Sequence, residues 1–272
     1  MNEPSQPGPL SNKTAIVTGS SSGIGRAIAI EFARNGANLV LHGRADSDRI
    51  QAVCHEIRGL GRNVETVFGD FSTAMDWEQF VENTWSCFGN IDFWINNAGG
   101  DVLTGEWADR SLEDKLAFLW QTDVVSSLML SRVAGKKMVF AGGEDTSSKT
   151  ISEVNSKVIL NIGWDQAWQG MAGDSGELFS TTKGAIMAMT KSLAQSFSPH
   201  VRVNCIAPGW IKTKWGEQAS DYWDARAKSE SLMNRWGTPE DIAQIASFLC
   251  GPAASFISGQ IVPVNGGFRF NQ

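Results

Sequence analysis

The 272 residues suit one large α/β domain as readily as two small ones, and a hydrophobic content of 42% supports a full core without staples. A net charge of −6 with no basic run argues against a nucleic-acid partner, and no stretch approaches the ~20 apolar residues of a membrane span. The cysteines Cys54, Cys87, Cys205 and Cys250 form no CxxC pair and no metal spacing with His42, His55 or His200. Reduced, mostly buried thiols in a cytoplasmic protein are expected, with no metal.

The start, "MNEPSQPGPLSN" (1–12), is polar and Pro-rich and has neither a basic nor an apolar signal region, so a flexible tail is expected. "TAIVTG" (14–19) is a short apolar run ending in glycine, a buried strand, and "GIGRAIAIEFARNG" (23–36) has helical period. "ANLVLHG" is a second strand, "SDRIQAVCHEIRGLG" a helix, "NVETVFGD" a strand and "TAMDWEQFVENTWSCFG" a helix. "IDFWINNAGG" is a strand breaking into a Gly-rich turn, and a long helix is predicted over roughly 111–137. The polar stretch 140–156 reads as a surface loop. "KVILNIG" (157–163), a helix around "GELFSTTKGAIMAMTKSLA" (176–194) and the strand "HVRVNCIAPG" follow. Helices near 216–231 and 238–250 precede the last strand, "GQIVPVNGG". Strict alternation of apolar strands with helices predicts an α/β fold: one Rossmann-type domain over 13–272, a parallel sheet covered on both faces.

Chemistry begins at "TGSSSGIG", Thr18–Gly25, between the first strand and the first helix. Gly19 permits the turn, Gly23 lets backbone approach a ligand and Gly25 allows close packing. The helix start then offers free N–H groups to a pyrophosphate. Ser21, Ser22 and Ile24 belong to the same candidate loop. The second strand ends not in a carboxylate, which would hold a ribose 2′-hydroxyl, but in Gly43 and Arg44. A guanidinium suits a 2′-phosphate, so NADP(H) is favoured over NAD(H).

TGxxxGIG from Thr18, "NNAG" at 96–99, the lysine Lys183, "PG" at 208–209 and "VNGG" at 264–267 together resemble the short-chain dehydrogenase/reductase family, from about residue 13 to 268. The resemblance implies a doubly wound, seven-stranded sheet and a nicotinamide cofactor. It implies that Asp70, followed by Phe71, holds the adenine amino group. Asn97, followed by Ala98 and Gly99, would support the central strand and adenosine ribose, and Pro208, Gly209 and Thr213 would lie beside the nicotinamide and its phosphates. A substrate lid is implied near 210–236.

In that family a tyrosine four residues before the lysine protonates the alkoxide left by hydride addition, a serine after the fifth strand binds the substrate oxygen, and an asparagine on the long helix holds a water. Here Phe179 stands four residues before Lys183, "NISS" reads "NIGW" with Gly163 and Trp164, and the asparagine position is Asp123. Lys183 keeps a reading as a grip on the nicotinamide ribose, with Asp123 and Lys183 as the candidate catalytic pair. Trp164, Phe179, Trp210 and Tyr222 are the candidate pocket residues. The single tyrosine, Tyr222, is expected on the exposed lid. Asp123, Asp165, Asp174 and Glu177 are alternative proton donors, because a carboxyl in an apolar pocket keeps its proton to higher pH. The histidines are poorly placed for that role.

Trp94 and Trp120 read as core; Trp164, Trp168, Trp210, Trp215 and Trp223 fall near the pocket. The helix over 177–197 has too much apolar circumference for one sheet face, which points to a homodimer or homotetramer. Two functions compete: an NADP(H)-dependent oxidoreductase acting on a small carbonyl or alcohol with an altered proton donor, and an inactive NADP(H)-binding sensor or assembly protein. A lyase or isomerase on the same fold rests on the carboxylates alone.

Overall fold

The computed structural model describes residues 8–141 and 157–269. Seven strands, β1 (Thr14–Val17), β2 (Asn38–Gly43), β3 (Val64–Phe68), β4 (Phe93–Asn96), β5 (Lys157–Ile162), β6 (Val201–Pro208) and β7 (Ile261–Val264), form one sheet in the order β3-β2-β1-β4-β5-β6-β7. Every pairing is parallel. This is the parallel sheet that the alternation predicted, in the doubly wound, seven-stranded Rossmann arrangement that the family resemblance implied. The order reverses between β1 and β4, and such switch points are where open sheets of this kind place their ligands.

Alternate residues of each strand serve opposite faces. Ala15, Val17, Leu39, Leu41, Phe93, Ile95, Val158 and Leu160 face α1 (Gly23–Arg34) and α2 (Asp48–Gly59). Ile16, Val40, Trp94, Ile159 and Val203 face α3 (Trp77–Ser86) and the helices at 126–141 and 174–197. Both faces are dry, which is why these strands read as continuous apolar runs.

A buried polar chain crosses the second face. Trp94 Nε1 donates to Asn96 Oδ1 (2.9 Å), Asn96 Nδ2 donates to Ser131 Oγ and Asn161 Oδ1 (2.8 Å each), and Asn161 Nδ2 donates to Thr190 Oγ1 (2.9 Å). It ties β4 and β5 to the two helices above them in one register, with each named donor satisfied.

Several expectations change. The helix predicted over 111–137 is α4 (Leu112–Leu119), a π-helical stretch Trp120–Val125, and α5 (Ser126–Ala141). π-Bulges of this kind collect at functional sites, and this one carries Asp123. Trp120, the first residue of this stretch, is not core: it is 45% exposed, whereas Trp94 is fully buried. The helix predicted over 216–231 is two, α8 (Lys214–Glu217) and α9 (Asp221–Glu230), after the one-turn α6 (Gln166–Gln169) and the long α7 (Asp174–Phe197). Ser220 is extended and starts α9 afresh. Helix α10 (Pro239–Cys250) begins with a complete capping box, Thr238 with Asp241.

Part of the region read as a tail is docked: Leu10 is fully buried and its N–H donates to the Asn35 carbonyl (3.0 Å). The apolar surplus on α7 is largely used within the chain. Ile186, Leu193 and Phe197 are buried, and the Phe197 ring fills the space that a side chain at Gly135 of α5 would need. The stretch 140–156 lies outside the described residues beyond Ala141. Among the described residues no helix is long and apolar enough to cross a membrane.

Candidate active site

The glycine-rich turn leaves β1 with Gly19 at φ +63° and Gly23 at +55°, conformations that strain any side chain. A Cβ at Gly25 would stand 2.4 Å from both Asn97 Nδ2 and the Gly19 carbonyl, so α1 can start this close to β4 only with glycine there. Ser22 enters the helix extended and makes no side-chain cap, and the first turn carries no acidic residue. Its N–H groups are therefore available to an anion.

The loop is fixed from three sides. Thr18 Oγ1 donates to the Ile95 carbonyl (3.1 Å) and accepts from the N–H groups of Asn97 (2.9 Å) and Ala98 (3.0 Å). Asn97 Nδ2 donates to the carbonyls of Thr18 (2.9 Å) and Gly19 (3.2 Å). The third side is His42, which the sequence reading set aside. Its Nδ1 accepts the Gly19 N–H (3.1 Å), which leaves Nε2 as the N–H that reaches the Gly69 carbonyl (3.0 Å). Its ring stacks on Phe71 at 4.3 Å. Burial pushes its pKa from 6.5 down to about 4, against the Gly69 carbonyl and Asp70, so the ring that spans loop and sheet is neutral. A histidine one residue from the end of a strand beside the glycine turn is the signal that could have found it.

Beyond His42, Arg44 is exposed at the end of β2. The Ser72 hydroxyl (2.7 Å) and backbone N–H (3.0 Å) hold Asp70 Oδ1, and these bonds, with Arg44 and His42 nearby, keep its carboxyl below the usual range despite partial burial. At the other end of the loop, the Thr213 methyl is 3.6 Å from where a Gly23 Cβ would be. Residues Gly19–Gly25, Asn97–Gly99 and Thr213 thus line one edge, with Phe71 buried behind His42.

Lys183 does not snorkel to water. Its Nζ lies 2.9 Å from Asp123 Oδ2, and the two side chains are 15% and 1% exposed. Asp123 Oδ1 accepts the Gly100 N–H (2.7 Å), and a Cβ on Gly99 would touch Oδ2 at 3.0 Å. The π-helical turn, the loop after β4 and α7 therefore meet at one carboxylate. Phe179, one turn before Lys183, packs with Val102, Leu119, Leu178, Trp107 and Phe118 and meets the Trp164 ring edge-on at 6.2 Å. Gly163 has no room for a side chain: a Cβ would meet Met187 Cγ at 2.8 Å and Cys205 Sγ at 2.9 Å.

Of the four carboxylates weighed as donors, Asp174 and Glu177 are exposed in the first turn of α7 and Asp123 is paired. Asp165 is different. It is 3% exposed, its N–H donates to the Pro208 carbonyl (3.1 Å), and its Oδ2 accepts from Asn265 Nδ2 (2.9 Å). Its Oδ1 is buried with no hydrogen-bond partner. Burial, with Glu230 adding to it, raises its pKa from 3.8 to about 6 against the Asn265 bond.

The segment between Trp210 and Trp236 leaves and rejoins at one point. The Gly237 N–H donates to the Trp210 carbonyl and the Lys212 N–H to the Gly237 carbonyl (2.9 Å each), closing it at the base. Inside, Trp210 packs against Trp215, Trp223 and Trp236 with centroids 5.6–6.2 Å apart. The Arg226 guanidinium lies over Trp210 and Trp223. Glu230 accepts from Trp210 Nε1 (2.7 Å), Arg226 Nε (2.7 Å) and Gln166 Nε2 (3.3 Å). Tyr222, 64% exposed, meets the Trp223 ring edge-on at 5.1 Å at the margin of this cluster; Trp168, 52% exposed, makes no ring contact with it, while Trp236 belongs to it.

A family model described as enoyl-(acyl carrier protein) reductase matches residues 19–269. A tropinone reductase homolog of Arabidopsis thaliana is 32% identical over 269 residues, 96% of this chain and 94% of the relative. Dehydrogenase/reductase SDR family member 4 of Homo sapiens is 33% identical over 267 residues, 95% and 88%. Among solved structures, a 7α-hydroxysteroid dehydrogenase complexed with NADH and 7-oxo glycochenodeoxycholic acid superposes with a TM-score of 0.81 at 30% identity, covering 95% of both chains. A 3-oxoacyl (acyl-carrier-protein) reductase from Agrobacterium tumefaciens C58 with NADP bound gives 0.80 at 27% identity, again over 95% of both. Sheet order, glycine turn and these matches along nearly the whole length lead to one conclusion: the chain belongs to the short-chain dehydrogenase/reductase family of oxidoreductases.

Proposed function

We propose that this protein transfers hydride between NADP(H) and a small carbonyl or alcohol, and that a group other than residue 179 handles the proton. The observation that carries the reading is the convergence of an uncapped glycine turn, the Asn97–Gly100 loop and the Asp123–Lys183 pair at the carboxyl ends of the central strands. The residues fit the cofactor: Gly19 and Gly23 leave a cradle that side chains would fill, and the start of α1 offers N–H groups. When bound, the dinucleotide supplies the hydride.

Arg44, exposed and near Asp70, favours a 2′-phosphate and hence NADP(H). Asp70 and Asn97 would hold the adenosine half, and Pro208, Gly209 and Thr213 the nicotinamide side. Lys183 would grip the nicotinamide ribose, with Asp123 fixing its ammonium. Trp164, Phe179 and Trp210 would wall the substrate, and the Trp210–Trp236 segment would exclude water. Phe179 carries no ionisable group, so a pKa-lowering role for Lys183 has no object there. A dimer or tetramer through the remaining exposed surface of α4, α5 and α7 accords with Leu112, Leu116 and Trp120, which are 36–45% exposed.

The test is twofold. Calorimetry should show NADPH binding more tightly than NADH, and a panel of aldehydes, ketones and alcohols followed by NADPH absorbance should yield turnover. Tight binding of NADPH with zero turnover across the panel would favour a binding protein instead.

A further inference from the structure

We propose that His42 is a positioning residue of the dinucleotide site: its Nδ1 fixes Gly19 in the glycine turn and, through Gly19, the direction of the N–H groups that meet the cofactor phosphates. The inference rests on the cofactor binding proposed above.

One residue of β2 holds two successive residues of the turn. His42 Nδ1 accepts the Gly19 N–H at 3.1 Å. The Ser20 N–H donates to the His42 carbonyl (3.0 Å), and the His42 N–H donates to Ser20 Oγ (3.0 Å). From the opposite side, Asn97 Nδ2 donates to the Gly19 carbonyl at 3.2 Å. Gly19 is therefore fixed at both its N–H and its carbonyl, at the point where φ +63° turns the chain from β1 toward α1. Among the described residues the Gly19 N–H has no acceptor besides the imidazole.

The ring itself is pinned. Its Nε2 donates to the Gly69 carbonyl at 3.0 Å. It stacks on Phe71 with the planes 8° apart and meets Phe80 edge-on at 5.4 Å. All three rings are 3% exposed, so water is not at hand to replace either bond. A backbone N–H only donates and a carbonyl only accepts, so the tautomer is set by the partners: Nδ1 is bare and Nε2 carries the proton. Gly69 immediately precedes Asp70, the residue proposed to hold adenine. One imidazole thus joins the pyrophosphate end of the adenosine half to its adenine end.

A phenyl ring would fill this space and stack as well. What histidine adds is direction. A turn whose N–H is unheld has to be ordered by the ligand, and the cost of that ordering is taken from the binding free energy. Dinucleotide affinity should therefore follow the Gly19 bond and not the bulk of residue 42.

His42→Phe keeps the ring and loses both bonds; His42→Asn loses the ring but can place Oδ1 where Nδ1 stands. Calorimetry on protein that circular dichroism shows to be folded should find NADPH bound about 10–100-fold more weakly by His42→Phe, and most of that loss recovered in His42→Asn. With a carbonyl that the wild type reduces, the KM for NADPH should rise in His42→Phe while kcat at saturation holds. A purely structural residue would lower the thermal midpoint and leave the affinity of the folded protein alone. In wild type labelled with nitrogen-15 histidine, His42 should show an unprotonated Nδ1 whose resonance moves on adding NADPH, with His55 and His200 as controls. NADPH affinity in His42→Phe within the same order of magnitude as wild type, or a His42 Nδ1 that is protonated or indifferent to NADPH, overturns the assignment while leaving cofactor binding intact. Wild type that binds neither NADPH nor NADH overturns the cofactor reading, and this assignment with it.

Discussion

Asp165 and His42 are buried on the two sides of the same sheet edge and respond to acid in opposite directions. The neutral form of His42 is favoured by folding: its pKa is 6.5 when exposed and about 4 in place. Between those values the unfolded chain binds the extra proton, so stability falls as pH drops from 6.5 to 4, by about 3 kcal/mol for a shift of that size. The protonated form of Asp165 is favoured by folding, with 3.8 rising to about 6. Here the folded chain binds the extra proton, so stability rises as pH drops from 6 to 3.8, again by about 3 kcal/mol. The two nearly cancel in the wild type. Asp165→Asn removes one arm only: at pH 7 it should be more stable than the wild type by up to about 3 kcal/mol, and it should lose that advantage steadily toward pH 4. Urea unfolding at half-unit steps from pH 7 to 4 measures both curves. The carboxylates held below their usual range, Asp70, Asp224 and Asp241, act only below about pH 4–5. Parallel curves for wild type and variant would refute the reasoning.

Three further outcomes are expected. Arg44→Ala should weaken NADPH binding about 10–100-fold, the worth of a charge-assisted contact of about 1.5–3 kcal/mol, and leave NADH binding unchanged, as read by calorimetry. Thr190→Val, nearly isosteric, strips the acceptor from Asn161 Nδ2 in the buried chain and should cost about 1–3 kcal/mol in chemical denaturation. Gly25→Ala places a methyl 2.4 Å from Asn97 Nδ2 and the Gly19 carbonyl; α1 must move, and dinucleotide binding should be lost before the fold is, with calorimetry and circular dichroism as the paired readouts.

The strands were legible because both faces of a parallel sheet are dry, so runs such as "TAIV" and "VILNI" carry no alternation to confuse. The glycine turn was legible because its geometry demands glycine at fixed spacing. What was hidden depends on contacts between distant segments. Helical periodicity is nearly unchanged by one π-bulge, so nothing in 111–137 marks the widening at Asp123 or the exposure of Trp120. The interruption between α8 and α9 covers Gln218, Ala219 and Ser220, none of them a glycine or proline that would mark it. His42 joins residues 23 and 27 positions away through its two ring nitrogens, and no local pattern encodes that. Asp165 was one carboxylate among four until burial separated it from Asp174 and Glu177.

The four indoles between residues 210 and 236 also give this protein a spectroscopic handle of its own. Rings held 5.6–6.2 Å from Trp210 in fixed mutual orientations make a strong near-ultraviolet dichroic band, a signal that depends on tertiary packing rather than on helix content. A motion that separated α8 from α9 would part Trp215 from Trp223 and weaken the band. A change in that packing can therefore be followed by stopped-flow optics on the unlabelled chain.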